Sequence, residues 1–182
     1  MSVVRPDKLL YGWREPVTPR PAATVILLRD GANGLEILMT RRSMTASFAP
    51  GAYVFPGGRV DKADHDLASA ALPGASAAQQ ADAAFACAAI RESFEELGVL
   101  LARDIHGQSP GHDVITALDR SQDASLAEQL AGANLQVALD EISWFSHWIT
   151  DRDLPKRFDT RFFVARMPSN QQPIADEAEQ FE

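Results

Sequence analysis

The sequence has little of what would assign it to several common classes of protein. A single cysteine, Cys87, excludes an internal disulfide in these 182 residues. It lies on the apolar side of a predicted helix, which indicates a structural thiol and a reducing compartment. No apolar run approaches the ~20 residues of a membrane-spanning helix, and the N-terminus lacks the apolar core of a signal peptide. We therefore expect a cytoplasmic protein with no membrane partner.

Positive charge is scarce as well. The chain has 17 Lys and Arg against 25 Asp and Glu, and its net charge is −8 at pH 7. This balance argues against general nucleic-acid binding, because the phosphate backbone attracts basic surfaces. An anionic small-molecule substrate is still allowed, because one bound cation can reverse the local field.

What the sequence does contain is a concentrated acidic stretch between Arg91 and Val99. On a helix, Glu92, Glu95 and Glu96 fall within an arc of roughly 100°. The opposite side is apolar, with Ala83, Cys87, Ile90, Phe94, Leu97 and Leu101. One interpretation is a solvated face, since Glu favours helices and is usually exposed. The other is a divalent-cation site, because Mg²⁺ takes carboxylate and phosphate oxygens and Arg91 alone cannot offset three charges.

Local signals define both ends of this helix and the segment before it. Ser76 and Gln79 match a capping box, which predicts a helix start near Ala77, and Gly98 predicts a left-handed stop. Residues 62–76 are predicted to be a surface excursion. His65 lies among aspartates there, but without a regular metal-ligand spacing.

The rest of the chain predicts an α+β fold with a mixed sheet. Residues 1–20 read as an N-terminal arm, and strands are expected at 21–29, 35–40, 52–55, 142–150 and 161–166. The first two strands form a hairpin, and the first is buried on both faces. A small helical insert occupies about 103–135, with a helical pattern over 113–131 that ends at Gly132. A lid, a dimer contact and plain decoration are its alternative roles, and a homodimer is compatible with the sequence.

Two further features have a structural and a functional interpretation. The pair Gly57-Gly58 is most often a tight turn, but beside an acidic helix it would let backbone N–H groups approach a phosphate. The neighbours Arg41 and Arg42 are typical of solvated charges at a strand end, or of contacts to substrate phosphates.

These features together resemble the Nudix box, G-x5-E-x7-R-E-U-x-E-E-x-G-U, where U is a bulky aliphatic residue. Its second half is matched by Arg91, Glu92, Glu95, Glu96, Gly98 and Val99, with Ser93 at the first U. The first half begins at Gly58, and Asp64 stands where the pattern has Glu. Between Asp64 and Arg91 the chain is 19 residues longer than the pattern, so the interrupted box spans 58–99.

The chain is also similar to the coenzyme A-directed Nudix hydrolases. The shared features are Phe55-Pro56-Gly57-Gly58, the interrupted box, Trp148-Ile149-Thr150 and the run from Arg157 to Phe163. In that subgroup an Arg lies four residues before the glycine that precedes Phe-Pro-Gly-Gly. Here that glycine is Gly51, and Ser47 holds the Arg position.

The resemblance implies a Nudix-type α/β/α sandwich over 21–182. It implies Mg²⁺- or Mn²⁺-dependent hydrolysis of a nucleoside diphosphate linked to another moiety, such as coenzyme A or its acyl esters. ADP-ribose, dinucleotides and nucleotide sugars are alternative substrates, and a non-catalytic Nudix-fold binding module is the alternative to an enzyme.

The resemblance also implies roles for individual residues. It assigns the cation to Glu92, Glu95 and Glu96, and it makes Arg91 the residue that orients them. From the Asp176–Glu179 segment, Glu179 is a further ligand or general base, the alternative being an exposed acidic tail. The substrate-binding candidates are Gly57, Gly58, Arg41 and Arg42.

The family pattern continues past this chain with a Trp, a strand and a closing helix. We therefore expect either a native chain that continues beyond Glu182 or a partner subunit that completes the fold, and we favour the first. An intact mass near 19.8 kDa would contradict it.

Overall fold

A five-stranded mixed sheet forms the centre of the computed structural model, which describes residues 15–45, 50–121, 124–174 and 179–181. The strands in chain order are β1 (Arg20–Gly31), β2 (Gly34–Leu38), β3 (Thr40–Arg42), β4 (Tyr53–Val54), β5 (Gly57–Arg59), β6 (Ala102–Arg103), β7 (Gln136–Val137), β8 (Ile142–Ile149), β9 (Phe158–Arg166) and β10 (Glu179–Phe181). The helices are α1 (Lys62–Ala71), α2 (Ala77–Leu97), α3 (His112–Thr116) and α4 (Leu126–Gly132).

The long strand β1 organises this sheet. It runs parallel to β9 along one edge, and β8 pairs antiparallel with β9. Along its other edge, the first half of β1 pairs with β5 and the second half with β2, both antiparallel. The hairpin of β1 and β2 is therefore confirmed, and β5 carries the Gly57-Gly58 pair to the start of β1.

The core lies between the sheet and α2. Val25, Leu27 and Phe163 point from the sheet toward α2 and are buried, together with Ile90 and Phe94 of the helix. Ala22 to Val25 are buried without a break, as the apolar run predicts. The predicted helix from Ala77 is confirmed from its Ser76 capping box to Gly98, whose φ of 63° is left-handed. The α+β class with a mixed sheet is confirmed.

The prediction of a surface excursion at 62–76 is wrong, because residues 62–71 form α1. Asp61 accepts a hydrogen bond from the Ala63 N–H (2.9 Å), and Asp64 accepts one from the Asp61 N–H (2.9 Å), which completes a capping box. Leu67 and Ala68 are buried, and α1 packs against α2. The interruption of the box therefore consists of α1, a turn and the first part of α2.

The segment 103–135 is closed at its base by the short antiparallel pair β6–β7. The helical pattern predicted over 113–131 divides into two short helices, α3 and α4. Ser125 starts α4 by accepting a hydrogen bond from the Glu128 N–H at 3.3 Å. The helix α4 does end at Gly132, but the left-handed residue after it is Asn134, with φ of 54°.

Two other strand predictions need adjustment. The run 35–40 breaks at Met39, and β3 pairs with β4 and β10 in a separate three-stranded sheet. The predicted strand at 161–166 begins earlier, at Phe158. No helix in the described part of the chain is long and apolar enough to span a bilayer. Ser47 and most of the predicted N-terminal arm lie outside the described residues.

Candidate active site

Arg91 is the centre of the acidic cluster on α2. Its Nη1 donates to Glu92 Oε1 and to Glu95 Oε2, each at 2.9 Å. The Glu95 contact joins residues one helical turn apart, a spacing at which side chains meet on one face. The side chains of Arg91, Glu92 and Glu95 are only 11%, 12% and 9% exposed. The acidic face is therefore a largely buried cluster, and the solvated interpretation is wrong for these two carboxylates.

Asp64 holds the other side of the same guanidinium. Arg91 Nε donates to Asp64 Oδ1 at 2.9 Å, and Nη2 donates to Oδ2 at 3.1 Å, while the Asp64 side chain is fully buried. Arg91 Nη2 also donates to the Arg59 carbonyl at 3.0 Å. Such a two-point contact fixes the plane of the guanidinium as well as its position. Asp64 thus fixes Arg91 in orientation, and Arg91 fixes Glu92 and Glu95.

The Gly57-Gly58 pair lies in strand β5 and not in a tight turn, and it contacts the cluster at Glu92 and Glu96. The Gly57 N–H donates to Glu96 Oε2 at 3.2 Å. A Cβ on Gly58 would lie 2.1 Å from Glu92 Oε1, so only glycine allows this approach without moving the carboxylate. Thr24 of β1 holds the residue that precedes the pair, because its hydroxyl donates to the Pro56 carbonyl at 2.6 Å. The structure therefore brings both glycines of the sequence prediction to the predicted carboxylates.

Burial sets the electrostatics of the cluster. It raises the pKa of Glu95 to about 7, although Arg91 lowers it in part. It also raises the pKa of Glu92 and of Asp64 above their ordinary values, again against the opposing effect of Arg91. Burial lowers the pKa of Arg91, but its bond to Asp64 and the neighbouring carboxylates raise that pKa more. One guanidinium therefore does not offset the buried acidic groups, and an additional cation would be favoured here.

The donor set fits a hard divalent cation, although no preformed cage is present. In the described part of the chain, no three His, Cys, Asp or Glu side chains converge on one point as metal ligands. Glu92 and Glu95 each turn one oxygen toward Arg91 Nη1. Glu92, Glu95 and Glu96 would supply the all-oxygen, carboxylate environment that Mg²⁺ and Mn²⁺ prefer.

The other predicted site residues lie in the three-stranded sheet. Arg41 lies over the Tyr53 ring, with its guanidinium carbon 5.9 Å from the ring centroid. The Nε of Arg42 is buried and has no hydrogen-bond partner among the described residues. Glu179 pairs with Arg42 across β10 and β3. Their roles in binding and catalysis remain predictions.

Sequence reasoning missed the part that Asp64 plays in this cluster. The pattern places Asp64 at the Glu position of the box, but its burial and its bond to Arg91 depend on α1 packing against α2. The local signal that was available is the pair Asp61 and Asp64, spaced as a capping box.

Comparison with known proteins gives several similar chains, although no family model matches. Nudix hydrolase 7 of Caenorhabditis elegans is 34% identical over 159 residues, which cover 86% of this chain and 45% of that protein. A human acyl-coenzyme A diphosphatase is 28% identical, with 86% of this chain and 53% of that protein covered. This chain therefore spans about half the length of the curated relatives that it matches.

Solved structures extend this similarity to the fold. A NUDIX hydrolase from Alicyclobacillus acidocaldarius superposes with a TM-score of 0.72 at 30% identity, covering 90% of this chain and 78% of that one. A MutT/nudix family protein from Enterococcus faecalis has a TM-score of 0.52 at 16% identity, covering 93% of this chain and 44% of that one. The second similarity concerns the fold alone.

Proposed function

Because the chain belongs to the Nudix hydrolase superfamily, we propose that it is a divalent-cation-dependent enzyme that hydrolyses a diphosphate bond. The observation that carries this proposal is the arrangement around Arg91. Its Nη1 holds both Glu92 and Glu95 at 2.9 Å, beside the glycine pair of β5, whose Gly57 N–H contacts Glu96. A purely structural acidic face would not need three carboxylates gathered at a close backbone approach.

In this proposal Glu92, Glu95 and Glu96 hold Mg²⁺ or Mn²⁺. When bound, the cation polarises phosphoryl oxygens and lowers the pKa of a coordinated water. Arg91 fixes the directions of Glu92 and Glu95, and its own position is set by Asp64. The chain thus holds its cation ligands through a guanidinium that is itself held at two points, and such support maintains ligand geometry.

The Gly57-Gly58 pair of β5 forms the substrate side of the site. It lies against Glu92 and Glu96, where a diphosphate bridged by the cation would lie. The absence of a Cβ on Gly58 lets the backbone approach the Glu92 carboxylate closely, so the strand lies directly against the proposed cation ligands. We assign Glu179 the role of a further ligand or general base, supplied by β10 beside β3. Arg41 and Arg42, on β3, are our candidates for contacts to outer phosphates.

The substrate we favour is coenzyme A or an acyl ester of it. The name of the human relative, an acyl-coenzyme A diphosphatase at 28% identity, supports this choice. ADP-ribose, dinucleotides and nucleotide sugars contain the same diphosphate linkage and are the competing substrates. The negative net charge of −8 is compatible with all of them, since a bound cation reverses the field locally.

A substrate panel tests the proposal directly. Purified protein is incubated with coenzyme A, an acyl-coenzyme A, ADP-ribose, a dinucleotide and a nucleotide sugar, with Mg²⁺, with Mn²⁺ or with EDTA. Mass spectrometry identifies the products, and hydrolysis in ¹⁸O-labelled water shows which phosphorus is attacked. We expect cleavage of the diphosphate with either cation and none with EDTA. Binding of a nucleotide without any product would instead support a non-catalytic module.

Matched variants tie the activity to the cluster. Glu95→Gln and Glu96→Gln should abolish hydrolysis while circular dichroism shows a folded protein. Glu128→Gln makes the same change on an exposed position of α4 and should keep full activity. Near-wild-type hydrolysis by either cluster variant would refute the assignment.

A further inference from the structure

Arg120 reaches from the segment between α3 and α4 to the last turn of α2. Its Nε donates to the carbonyl oxygens of Phe94 and Glu95, each at 3.1 Å, and its Nη2 donates to the Glu95 carbonyl at 2.8 Å. Sequence reasoning left the segment 103–135 without a decided role. The structure connects it, through one side chain, to the backbone that carries Glu95.

The last turn of a helix needs hydrogen-bond donors from outside the helix. The final carbonyls of a helix have no intrahelical partner, so helix ends fray unless other groups bind them. In α2, the Gly98 N–H donates to the Phe94 carbonyl at 2.8 Å, and the Ile174 N–H donates to the Leu97 carbonyl at 2.8 Å. Arg120 bonds the Glu95 carbonyl and brings a cation to the negative end of the helix dipole.

Glu95 and Glu96 lie in this same turn, and cation binding depends on its geometry. Carboxylates that bind one cation must keep their positions to about 0.5 Å. A planar guanidinium can bond two successive carbonyls at once, whereas a lysine ammonium is a single point of charge. The contacts of Arg120 therefore fix both the pitch and the position of the turn.

We propose that Arg120 is a positioning residue that clamps the last turn of α2 so that Glu95 and Glu96 are held for the cation. This inference rests on the proposed function, and it gives the segment 103–135 a part in the site. Arg120 does not touch the reacting atoms in this proposal. It acts only through the backbone of the helix.

The test uses Mn²⁺ affinity and amide hydrogen exchange in addition to turnover. Arg120→Gln removes both the positive charge and the branched set of guanidinium N–H donors. Arg120→Lys keeps only the charge. Arg103→Lys is the matched control, because Arg103 belongs to the same segment but pairs with Asp140 and Glu141. Mn²⁺ binding is measured by electron paramagnetic resonance, and amide exchange is followed over residues 94–98 in the cation-free protein.

For Arg120→Gln we expect faster exchange over 94–98 and a Kd for Mn²⁺ that rises about tenfold, the usual cost of losing support behind a ligand. Arg120→Lys should recover part of the affinity, and Arg103→Lys should bind like wild type. Unchanged Kd and exchange in both Arg120 variants would overturn the inference and leave the proposed function intact. Absence of Mn²⁺ binding by the wild type would instead refute the proposed function and the inference with it. If Arg120→Gln does not fold, Arg120→Lys decides by the same two measurements.

Discussion

Arg91 and Asp64 form a two-point ion pair between α2 and α1, with N–O distances of 2.9 and 3.1 Å. Asp64 is fully buried in this pair, and it also accepts a hydrogen bond from the Asp61 N–H. The interruption between Gly58 and Arg91 therefore does not separate the two halves of the motif. The residues between Asp64 and Arg91 form the rest of α1, a turn and the first part of α2, and Asp64 reaches the guanidinium from the first turn of α1.

Asp64→Asn should destabilise the fold, because it leaves a buried guanidinium without its two-point carboxylate partner. Breaking one partner of a buried ion pair costs about 3 kcal/mol, and the change should appear as a lower urea midpoint with an unchanged m-value. The control Asp66→Asn removes an exposed carboxylate on the same helix and should cost less than about 1 kcal/mol. Equal stability of the two variants would show that Asp64 does not hold Arg91.

Asp64→Glu should also destabilise the fold. Glu is the residue that the family pattern has at this position, but the Asp64 site is fully enclosed and closes a capping box. One added methylene should therefore strain the packing and cost about 1–3 kcal/mol of stability. A variant more stable than wild type in urea unfolding would show that this site retains room for the longer side chain.

Gly58→Ala should separate cation binding from stability. The new Cβ would lie 2.1 Å from Glu92 Oε1, and a flexible carboxylate end can move away at little cost in folding free energy. We expect Tm to change by less than about 3 °C while the Kd for Mn²⁺ rises about tenfold. Gly132→Ala meets no atom within 4 Å and is the matched control. Unaltered Mn²⁺ affinity in Gly58→Ala would place the cation away from Glu92.

The sequence predicts best those elements whose start, end and apolar face are all marked within one continuous segment of the chain. The helix α2 has Ser76 and Gln79 at its start and Gly98 at its end, and its apolar face is continuous. In contrast, α1 is only 10 residues long, the residue three positions after its cap is Asp64 instead of Glu or Gln, and Leu67 is its one large apolar side chain. The helix α1 depends on its packing against α2. This is a contact between distant parts of the chain, so a local sequence pattern does not predict it.

The same distinction holds for the candidate site. Three carboxylates on one helix face and a glycine pair are local features, and the structure does bring them together. The contacts that hold them are long-range. Arg91 meets Asp64 from 27 residues away, and Arg120 meets the Glu95 carbonyl from 25 residues away. No spacing in the sequence predicts these pairs, because they are set by how α1 and the segment 103–135 pack on α2.

The pH dependence of stability should identify Glu95. Its pKa is about 7 in the cation-free fold against an ordinary 4.5, so the folded state binds a proton that the unfolded state lacks between these values. The stabilising contribution is full below about pH 4.5 and is lost as pH rises through about 7. In EDTA, the wild-type Tm should therefore fall more than that of Glu95→Gln between about pH 5.5 and 8.

Added Mg²⁺ should reverse this trend, because the cation binds the ionised carboxylate and competes with the proton. We expect a larger Mg²⁺-induced rise in wild-type Tm at about pH 8 than at about pH 5.5. Glu128→Gln should follow wild type under both conditions. Parallel Tm curves for wild type and Glu95→Gln in EDTA would show that Glu95 is not the titrating group.

Gln171 should matter for stability far more than its polar side chain suggests, because it is 1% exposed and bridges two loops. Its Oε1 accepts from the Leu100 N–H at 2.9 Å, and its Nε2 donates to the carbonyls of Leu100 and Pro110 at 3.0 and 3.2 Å. Gln171→Leu would take this partner from the Leu100 N–H and the Pro110 carbonyl, at a cost of about 2–4 kcal/mol in urea unfolding. The Leu100 carbonyl would still accept a hydrogen bond from the Ala102 N–H at 3.1 Å. The exposed neighbour offers a matched control, since Gln172→Leu should change stability by less than about 0.5 kcal/mol. Similar unfolding free energies for the two variants would mean that water satisfies the Leu100 and Pro110 groups when the amide is removed.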